Sequence, residues 1–441
     1  MTTVPETHYI KAGDVHIAYQ VFGEGPDLVP LFPVVSHIEL MWDDPQYARM
    51  MRRLATFARV IRFDRRGGGL SSRVPPATLE EETPDLIALL DEVGAERPFL
   101  FGEGQGGVFS LFFAATRPDR TSGVTTFSTP PRILRADDYP WGADPDVPEG
   151  FAASIETGNV TDHAWASILA PTRADDPTFV RSLGRMIRAT LDPRASAEFL
   201  RWTVQLDIRD VLPTISVPTL VLHRSGDRVW PVEHGRYLAE HIPNARYVEL
   251  EGIDNVWWCG DGDAVVDEVG AFVTGTRPTR IPDRVLATVV FTDFVDSTRL
   301  AARMGDRKWR ELLDTHDRLV ARRLDEFDGN QVRTTGDGIL ATFDGPARAV
   351  RCACAIRDSV QDIGVELRAG VHTGEIDLRG SEVSGLAVHI GQRVQAKAGP
   401  GEVFVSRTVT DLVAGSGLEF DARGEHELKG VPGRWELYAV R

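Results

Sequence analysis

Between Val15 and Phe272 the chain alternates short apolar runs with helical patterns. The runs are Leu28–Phe32, Val60–Phe63, Pro98–Phe101, Val124–Phe127 and Thr219–His223, each followed by turn residues. That alternation predicts a doubly wound, mostly parallel sheet flanked by helices. From about Pro130 to Pro213 the strands stop, and polar, Pro-rich loops give way to helical stretches such as Phe179–Leu191. A helical cap inserted over the sheet is expected there.

Residues 275–283, Gly-Thr-Arg-Pro-Thr-Arg-Ile-Pro-Asp, carry two prolines and no strand or helix period, so they read as a linker between domains at 1–274 and 284–441. The second domain opens with a strand at Val285–Phe291. A helix follows whose apolar positions Trp309, Leu312, Leu313, His316, Leu319, Val320, Leu324 and Phe327 keep helical spacing. A hairpin (Gln331–Arg333, Gly338–Phe343), a helix (Pro346–Val360), a strand (Val365–His372), a helix (Ala387–Lys397) and further strands complete a βαββαβ-like order. With 441 residues and roughly 150 per domain, both parts are long enough to bury a core.

Composition narrows the function classes. Lys plus Arg number 49 against 65 Asp plus Glu, a net charge of −16, which argues against a polyanion-binding surface and hence against nucleic acid as a partner. A nucleoside triphosphate stays compatible, because a metal ion and a few local amides screen it whatever the net charge. The three cysteines, Cys259, Cys352 and Cys354, show no CxxC spacing, which argues against both a disulfide framework and a zinc site and fits a reducing cytosol. Cys352 and Cys354 read as core or near-core residues of a helix. The start, MTTVPETHYI, has no basic-then-apolar signal, and the longest apolar stretch, Val108–Ala115, is far short of a membrane span. A cytoplasmic protein without a membrane partner is expected.

The run Phe99 to Gly107 joins a strand to a helix and satisfies GxGxxG at Gly102, Gly104 and Gly107. A dinucleotide site is disfavoured, because the run is not on the first strand and no acid ends a second strand ~20 residues on. Over residues 8 to 273 the frame resembles the α/β-hydrolase family. Its nucleophile elbow, G-x-S-x-G, corresponds to Gly102-Glu103-Gly104-Gln105-Gly106, with Gly104 in the serine position. Glycine has no oxygen with which to attack a carbonyl, so the acyl-enzyme route is closed.

Asp227 stands in what resembles the family's acid loop, and Asn255 takes the histidine position. Asparagine does not shuttle a proton at neutral pH. The loop Phe32 to His37 also lacks the glycine that often helps form the oxyanion hole. Asp227 is expected to cap backbone amides, and Ser110 and His37 to be structural. What remains is a pocket under a cap for an unknown small-molecule ligand, or a scaffold, with Trp230, Trp257 and Trp258 either lining it or packing in the core.

In the second domain, Phe291-Thr292-Asp293-Phe294-Val295-Asp296-Ser297-Thr298 puts an acid at the end of a buried strand just before a helix, where free amides and the helix dipole favour a phosphate. A second acid, Asp337, lies in the turn Thr334-Thr335-Gly336-Asp337-Gly338. If the hairpin pairs beside the first strand, the two carboxylates converge and can hold two divalent ions.

With Leu428-Lys429-Gly430, these segments resemble the catalytic domain of class III nucleotide cyclases over residues 284 to 441. The resemblance implies a ferredoxin-like α+β domain working as a homodimer, with composite sites at the interface. It assigns Asp293 and Asp337 to two Mg²⁺ or Mn²⁺ ions, Lys429 to the terminal phosphates and Phe294 to the nucleotide site. Gly385-Leu386-Ala387-Val388-His389-Ile390-Gly391-Gln392-Arg393 matches the family's G-x-x-V-N-x-A-x-R, which makes Arg393 the transition-state arginine and puts His389 where the family has Asn.

Arg333 and Glu382 fall at the purine-contact positions. A donor with an acceptor suits adenine, so ATP is the expected substrate. The resulting expectation is an adenylate cyclase behind a non-hydrolytic hydrolase-like domain. Alternatives are a guanylate cyclase, a nucleotide-binding module without turnover, or a hydrolase with a relocated nucleophile. Asp296, in the Asp-Ser-Thr run, reads as an N-cap rather than a metal ligand.

Overall fold

A computed structural model of the chain describes residues 4–277, 284–334, 336–379 and 382–441, with the backbone alone at 378, 379 and 382. Most of the expected linker, 278–283, lies outside the described residues. Its first position, Gly275, instead closes a helix with φ +77°. The chain divides into two compact units, Met1–Thr279 and Arg280–Arg441.

The first unit carries an eight-stranded sheet of β1 (His8–Ala12), β2 (Val15–Phe22), β3 (Asp27–Leu31), β4 (Arg59–Phe63), β5 (Phe99–Glu103), β6 (Gly123–Phe127), β7 (Thr219–Arg224) and β8 (Arg246–Leu250). Their spatial order is β1-β2-β4-β3-β5-β6-β7-β8, parallel from β4 onward. Strands β6 and β7 are buried along their whole length, as a parallel sheet covered on both faces requires. Neighbouring residues divide between two cores: Leu220 and Leu222 face one, Val221 the other. The flanking helices are α1 (Pro45–Leu54), α2 (Leu79–Glu92) and α3 (Gln105–Thr116).

The expected cap is present as α4 (Asp146–Glu156), α5 (Asp162–Leu169), α6 (Pro177–Thr190) and α7 (Pro193–Thr203). Helices α6 and α7 each open on Asp-Pro. The aspartates, Asp176 and Asp192, accept first-turn amides, and the prolines sit where no amide partner is needed. Such caps are each worth about 1 kcal/mol. Helices α8 (Glu233–His241) and α9 (Gly262–Thr274) complete the unit.

The second unit runs β9 (Arg284–Phe294), α10 (Ser297–Met304), α11 (Asp306–Glu326), β10 (Asn330–Thr334), β11 (Ile339–Phe343), α12 (Pro346–Gln361), β12 (Leu367–Arg379), β13 (Glu382–Ser384), α13 (Leu386–Gln395), β14 (Val403–Ser406), α14 (Arg407–Leu412), β15 (Phe420–Glu427) and β16 (Arg434–Val440). The sheet order is β10-β11-β9-β12-β14-β16-β15, with β13 paired to β12. Val290 packs on the side of α12, while Val289 and Phe291 pack towards α13.

Two differences from the sequence expectation have physical causes. The single helix expected after β9 is split into α10 and α11 by Gly305, whose φ of +76° interrupts the helical path. Asp296 stands at the N-cap position of α10, but with φ +56° its carboxylate caps no amide and pairs with Arg299 at 3.1 Å instead.

Candidate functional sites

In the first unit β5 turns into α3 at Gly104, whose φ of +52° and ψ of −117° are a strained setting for any residue with a side chain. Neighbouring glycines explain how closely the turn packs. A Cβ on Gly106 would lie 2.0 Å from the Leu31 carbonyl, and one on Gly107 would lie 1.9 Å from Thr129 Oγ1. At Gly104 the situation is reversed, because a Cβ would meet nothing nearer than Pro33 at 3.8 Å. The elbow has room for a serine and does not carry one.

Asp227 caps as expected, its Oδ1 accepting the amides of Val229 at 2.8 Å and Trp230 at 3.1 Å. Its Oδ2 accepts from Ser128 at 2.7 Å and from the Asn255 side chain at 3.0 Å. Asn255 is held there by Arg224, buried and donating to the carbonyls of Asp254, Val256, Trp257 and Cys259. Asp254 ties the same loop to the cap through the Thr172 amide and hydroxyl. Ser110 is buried inside α3 and donates to the Gly106 carbonyl at 2.7 Å. His37 Nδ1 accepts from the Leu40 amide at 3.3 Å. Neither is arranged as a replacement nucleophile or base.

Between the elbow and the cap lies a cavity of about 430 Å³. Phe151, Trp165, Leu183, Phe199 and other cap side chains line it opposite Glu103, Gly104 and Gln105. Trp230 and Trp258 line it too, whereas Trp257 is 1% exposed and packs on Phe101 in the core. Burial pushes the Glu103 carboxyl up to about 8, against the partial relief of the Trp257 amide, Arg224 and Arg62.

In the second unit, β11 pairs antiparallel with β9, Leu340 opposite Phe291. A Cβ on Gly338 would lie 2.0 Å from the Thr292 carbonyl and 3.1 Å from the Asp293 Cα, so the turn that carries Asp337 is seated against the end of β9. Asp293 and Asp337 therefore lie at one end of the sheet; Thr335 of that turn lies outside the described residues.

Asp293 is directly opposite Arg368 of β12, which donates to Asp293 Oδ2 from Nε at 3.1 Å and from a terminal nitrogen at 2.5 Å. Gln395 at the end of α13 reaches the same oxygen at 3.4 Å. Among the described residues no cluster of three or more His, Cys, Asp or Glu is placed to hold a metal. Two carboxylates remain a fitting donor set for a hard divalent cation that takes its other ligands from phosphate and water.

Arg393 Nε donates to the Lys429 carbonyl at 3.1 Å, which brings the α13 arginine and the Leu-Lys-Gly turn together. His389, one turn earlier on α13, is exposed on the same helix face. Among the described residues no hydrogen bond or ion pair joins Arg393, His389 or Lys429 to Asp293 or Asp337. Arg333 is exposed on the edge strand β10, and Glu382 is on β13, with β11, β9 and β12 between them in the sheet; the Glu382 side chain lies outside the described residues. Phe294 is 1% exposed, its ring packed against Trp309 and His316, so its side chain is a core element rather than an exposed nucleotide contact.

Sequence reading missed Arg368, Gln395 and Glu103. Arg368 and Gln395 meet Asp293 only through the β9–β12 register and the seating of α13, and neither leaves a local signature. A carboxylate between two elbow glycines was the one visible hint for Glu103.

Residues 40–253 match the family described as alpha/beta hydrolase fold, and residues 283–441 match the adenylate and guanylate cyclase catalytic domain. A Rhizobium meliloti protein named "Putative adenylate cyclase 3" is 32% identical over 164 residues. That match covers 34% of this chain and 27% of the relative, so the chain spans about a quarter of that relative's length. The 3-oxoadipate enol-lactonase 1 of Acinetobacter baylyi is 24% identical over 220 residues, covering 49% of this chain and 79% of that one. The crystal structure of the enol-lactonase from Burkholderia xenovorans LB400 superposes with a TM-score of 0.52 at 27% identity, covering 60% of this chain and all of that one.

Proposed function

Since the chain joins an α/β-hydrolase-fold domain to an adenylate and guanylate cyclase catalytic domain, we propose that it converts ATP to 3′,5′-cyclic AMP and pyrophosphate as a homodimer. The hydrolase-fold domain acts as a non-hydrolytic sensor or scaffold. The observation that carries the catalytic reading is the seating of Gly338 on Thr292 and Asp293, which brings the two acids to one end of the sheet.

Asp293 and Asp337 would hold two Mg²⁺ or Mn²⁺ ions. Bound there, such ions supply positive charge that makes a ribose 3′-hydroxyl easier to deprotonate and offsets the charge of the departing pyrophosphate. The 3′-oxygen forms the new bond to the α-phosphorus, the bond from that phosphorus to the bridging oxygen breaks, and the hydroxyl proton passes to solvent. Arg393 lies against the α-phosphoryl oxygens, where a fixed guanidinium meets charge that grows in the transition state. Lys429 holds the terminal phosphates, and His389 donates one hydrogen bond to the substrate. Arg333 donates to the purine and Glu382 accepts from it, a pairing that suits adenine better than guanine.

The homodimer reading rests on the cyclase-domain match. It fits the lack, among the described residues, of any hydrogen bond or ion pair between the acids and Arg393, His389 or Lys429, since a second copy would bring one chain's acids to the other's arginine and lysine. Among the described residues no helix is long and apolar enough to cross a membrane. We place the protein in the cytoplasm, where ATP is supplied and the free cysteines Cys259, Cys352 and Cys354 stay reduced.

The test is cyclic nucleotide formation by the purified full chain, with ATP and GTP side by side in Mg²⁺ and in Mn²⁺. Cyclic AMP that disappears in Asp337→Ala supports the proposal. Preferential conversion of GTP to cyclic GMP would reassign the substrate, and nucleotide binding with no product would make the domain a binding module.

A further inference from the structure

The cavity under the cap is apolar along most of its wall, yet two of the residues that line it carry a buried polar atom with no protein partner. Trp258 Nε1 and Gln105 Oε1 are both buried without a hydrogen bond, one a donor and the other an acceptor. Both residues line the cavity, and Trp258 is 6% exposed. Native interiors rarely leave such atoms unpaired, because a buried donor or acceptor that gives up water must be repaid by another group.

Charge is nearly absent. Glu103 is the one Asp, Glu, Lys or Arg among the described lining residues. Its Oε1 already accepts the Trp257 amide at 3.1 Å, and with its carboxyl pushed up to about 8 it is neutral at pH 7. A charged guest would lose its hydration without gaining a counter-ion. Chemistry at the elbow is closed as well, because Gly104 offers no nucleophile.

We propose that this cavity binds an uncharged, mostly apolar small molecule bearing both an acceptor, for Trp258, and a donor, for Gln105, as in an aliphatic amide or a hydroxylated carbonyl compound. The inference rests on the reading of the domain as non-hydrolytic and gives its ligand a chemical class.

Three eight-carbon probes that differ in the head group test it by calorimetric titration of the full chain at pH 7: octanamide, octanoate and octylammonium. Octanamide is expected to bind at least ~10-fold more tightly than either charged probe, as an unpaired buried charge demands. Trp258→Phe keeps the ring and removes the N–H, and should weaken octanamide about three- to tenfold, the value of one hydrogen bond. Ile168→Trp fills the cavity and should abolish binding while the circular dichroism spectrum stays native. If that variant fails to fold, the Trp258→Phe ratio decides.

Equal binding of octanoate or octylammonium, no binding of octanamide, or octanamide binding unchanged in a folded Ile168→Trp would overturn the proposal. Turnover of p-nitrophenyl octanoate would overturn the non-hydrolytic reading by itself, and the order of the three probes would still decide what the cavity accepts.

Discussion

Asn255 donates its side-chain amide to Asp227 across 3.0 Å, keeping an acid paired with its loop partner although that partner has lost the ability to carry a proton. Arg224 fixes the loop from beneath through four carbonyls, so the position is held by the backbone and not by the identity of residue 255. The acid and its loop partner thus keep their pairing, while the elbow and the partner position lack the serine and histidine side chains that hydrolysis would use.

Restoring both side chains should restore some chemistry. Gly104→Ser alone is expected to show no esterase activity, because nothing takes the serine proton. Gly104→Ser with Asn255→His should hydrolyse p-nitrophenyl acetate measurably above the wild type, since the elbow leaves 3.8 Å around a new Cβ and Asp227 is already in place to orient the imidazole. An inactive but folded double variant would show that the oxyanion loop without its glycine is also limiting.

Glu103→Gln should change how the first unit's stability responds to pH. In the folded state this carboxyl titrates near 8, and its ordinary value is 4.5, so between those values the unfolded chain loses a proton that the folded one keeps. Wild-type stability therefore falls as the pH rises across that window, by on the order of a few kcal/mol in total. The glutamine still accepts from the Trp257 amide, and its variant should lack this slope. Urea unfolding followed by tryptophan fluorescence at pH 5.5 and 8.5 makes the comparison; parallel slopes in the two proteins would contradict it.

Asp293→Ala is expected to lower cyclic AMP formation by about two orders of magnitude or more, with the circular dichroism spectrum unchanged. Full activity would remove Asp293 from the metal site.

Mixing tests whether two chains build one site. Asp293→Ala and Arg393→Ala should each be inactive alone. Random re-association of the two variants gives dimers with one intact composite site, so the mixture should recover about one quarter of wild-type activity in a symmetric dimer. No recovery, with exchange verified by native mass spectrometry, would put the acids and the arginine to work within one chain.

Gly338→Ala should disrupt the second unit, because its Cβ would meet the Thr292 carbonyl at 2.0 Å, a backbone group with no flexible end to give way. A lower melting temperature together with lost metal dependence is expected, and a native melting temperature would argue that the hairpin has slack.

The strands were legible because β3, β5, β6 and β7 carry short, mostly apolar runs closed by turn residues, and the cap because that pattern stops and a helical stretch runs from Phe179 to Leu191. Asp293, Asp337 and the Gly104 elbow were legible for a similar reason, since each lies in a short segment whose turn chemistry is local. Arg368 was not, because what makes it matter is its position opposite Asp293 in a pairing between strands more than seventy residues apart. Asp296 misled, since an Asp-Ser-Thr run looks the same whether the first residue caps a helix or, at positive φ, turns its carboxylate to Arg299. Gly305 was passed over because it precedes the periodic positions, which begin at Trp309, and a lone glycine does not reveal its φ.

The bare elbow at Gly104 sets a time scale for whatever the cavity holds. On the non-hydrolytic reading, with no atom there to form a bond, a guest departs in the form in which it arrived, so occupancy follows the surrounding concentration and decays at the dissociation rate. A hydrolase depletes its own signal, whereas a domain that senses without hydrolysing, as proposed, leaves the signal in solution to be read again by the next molecule.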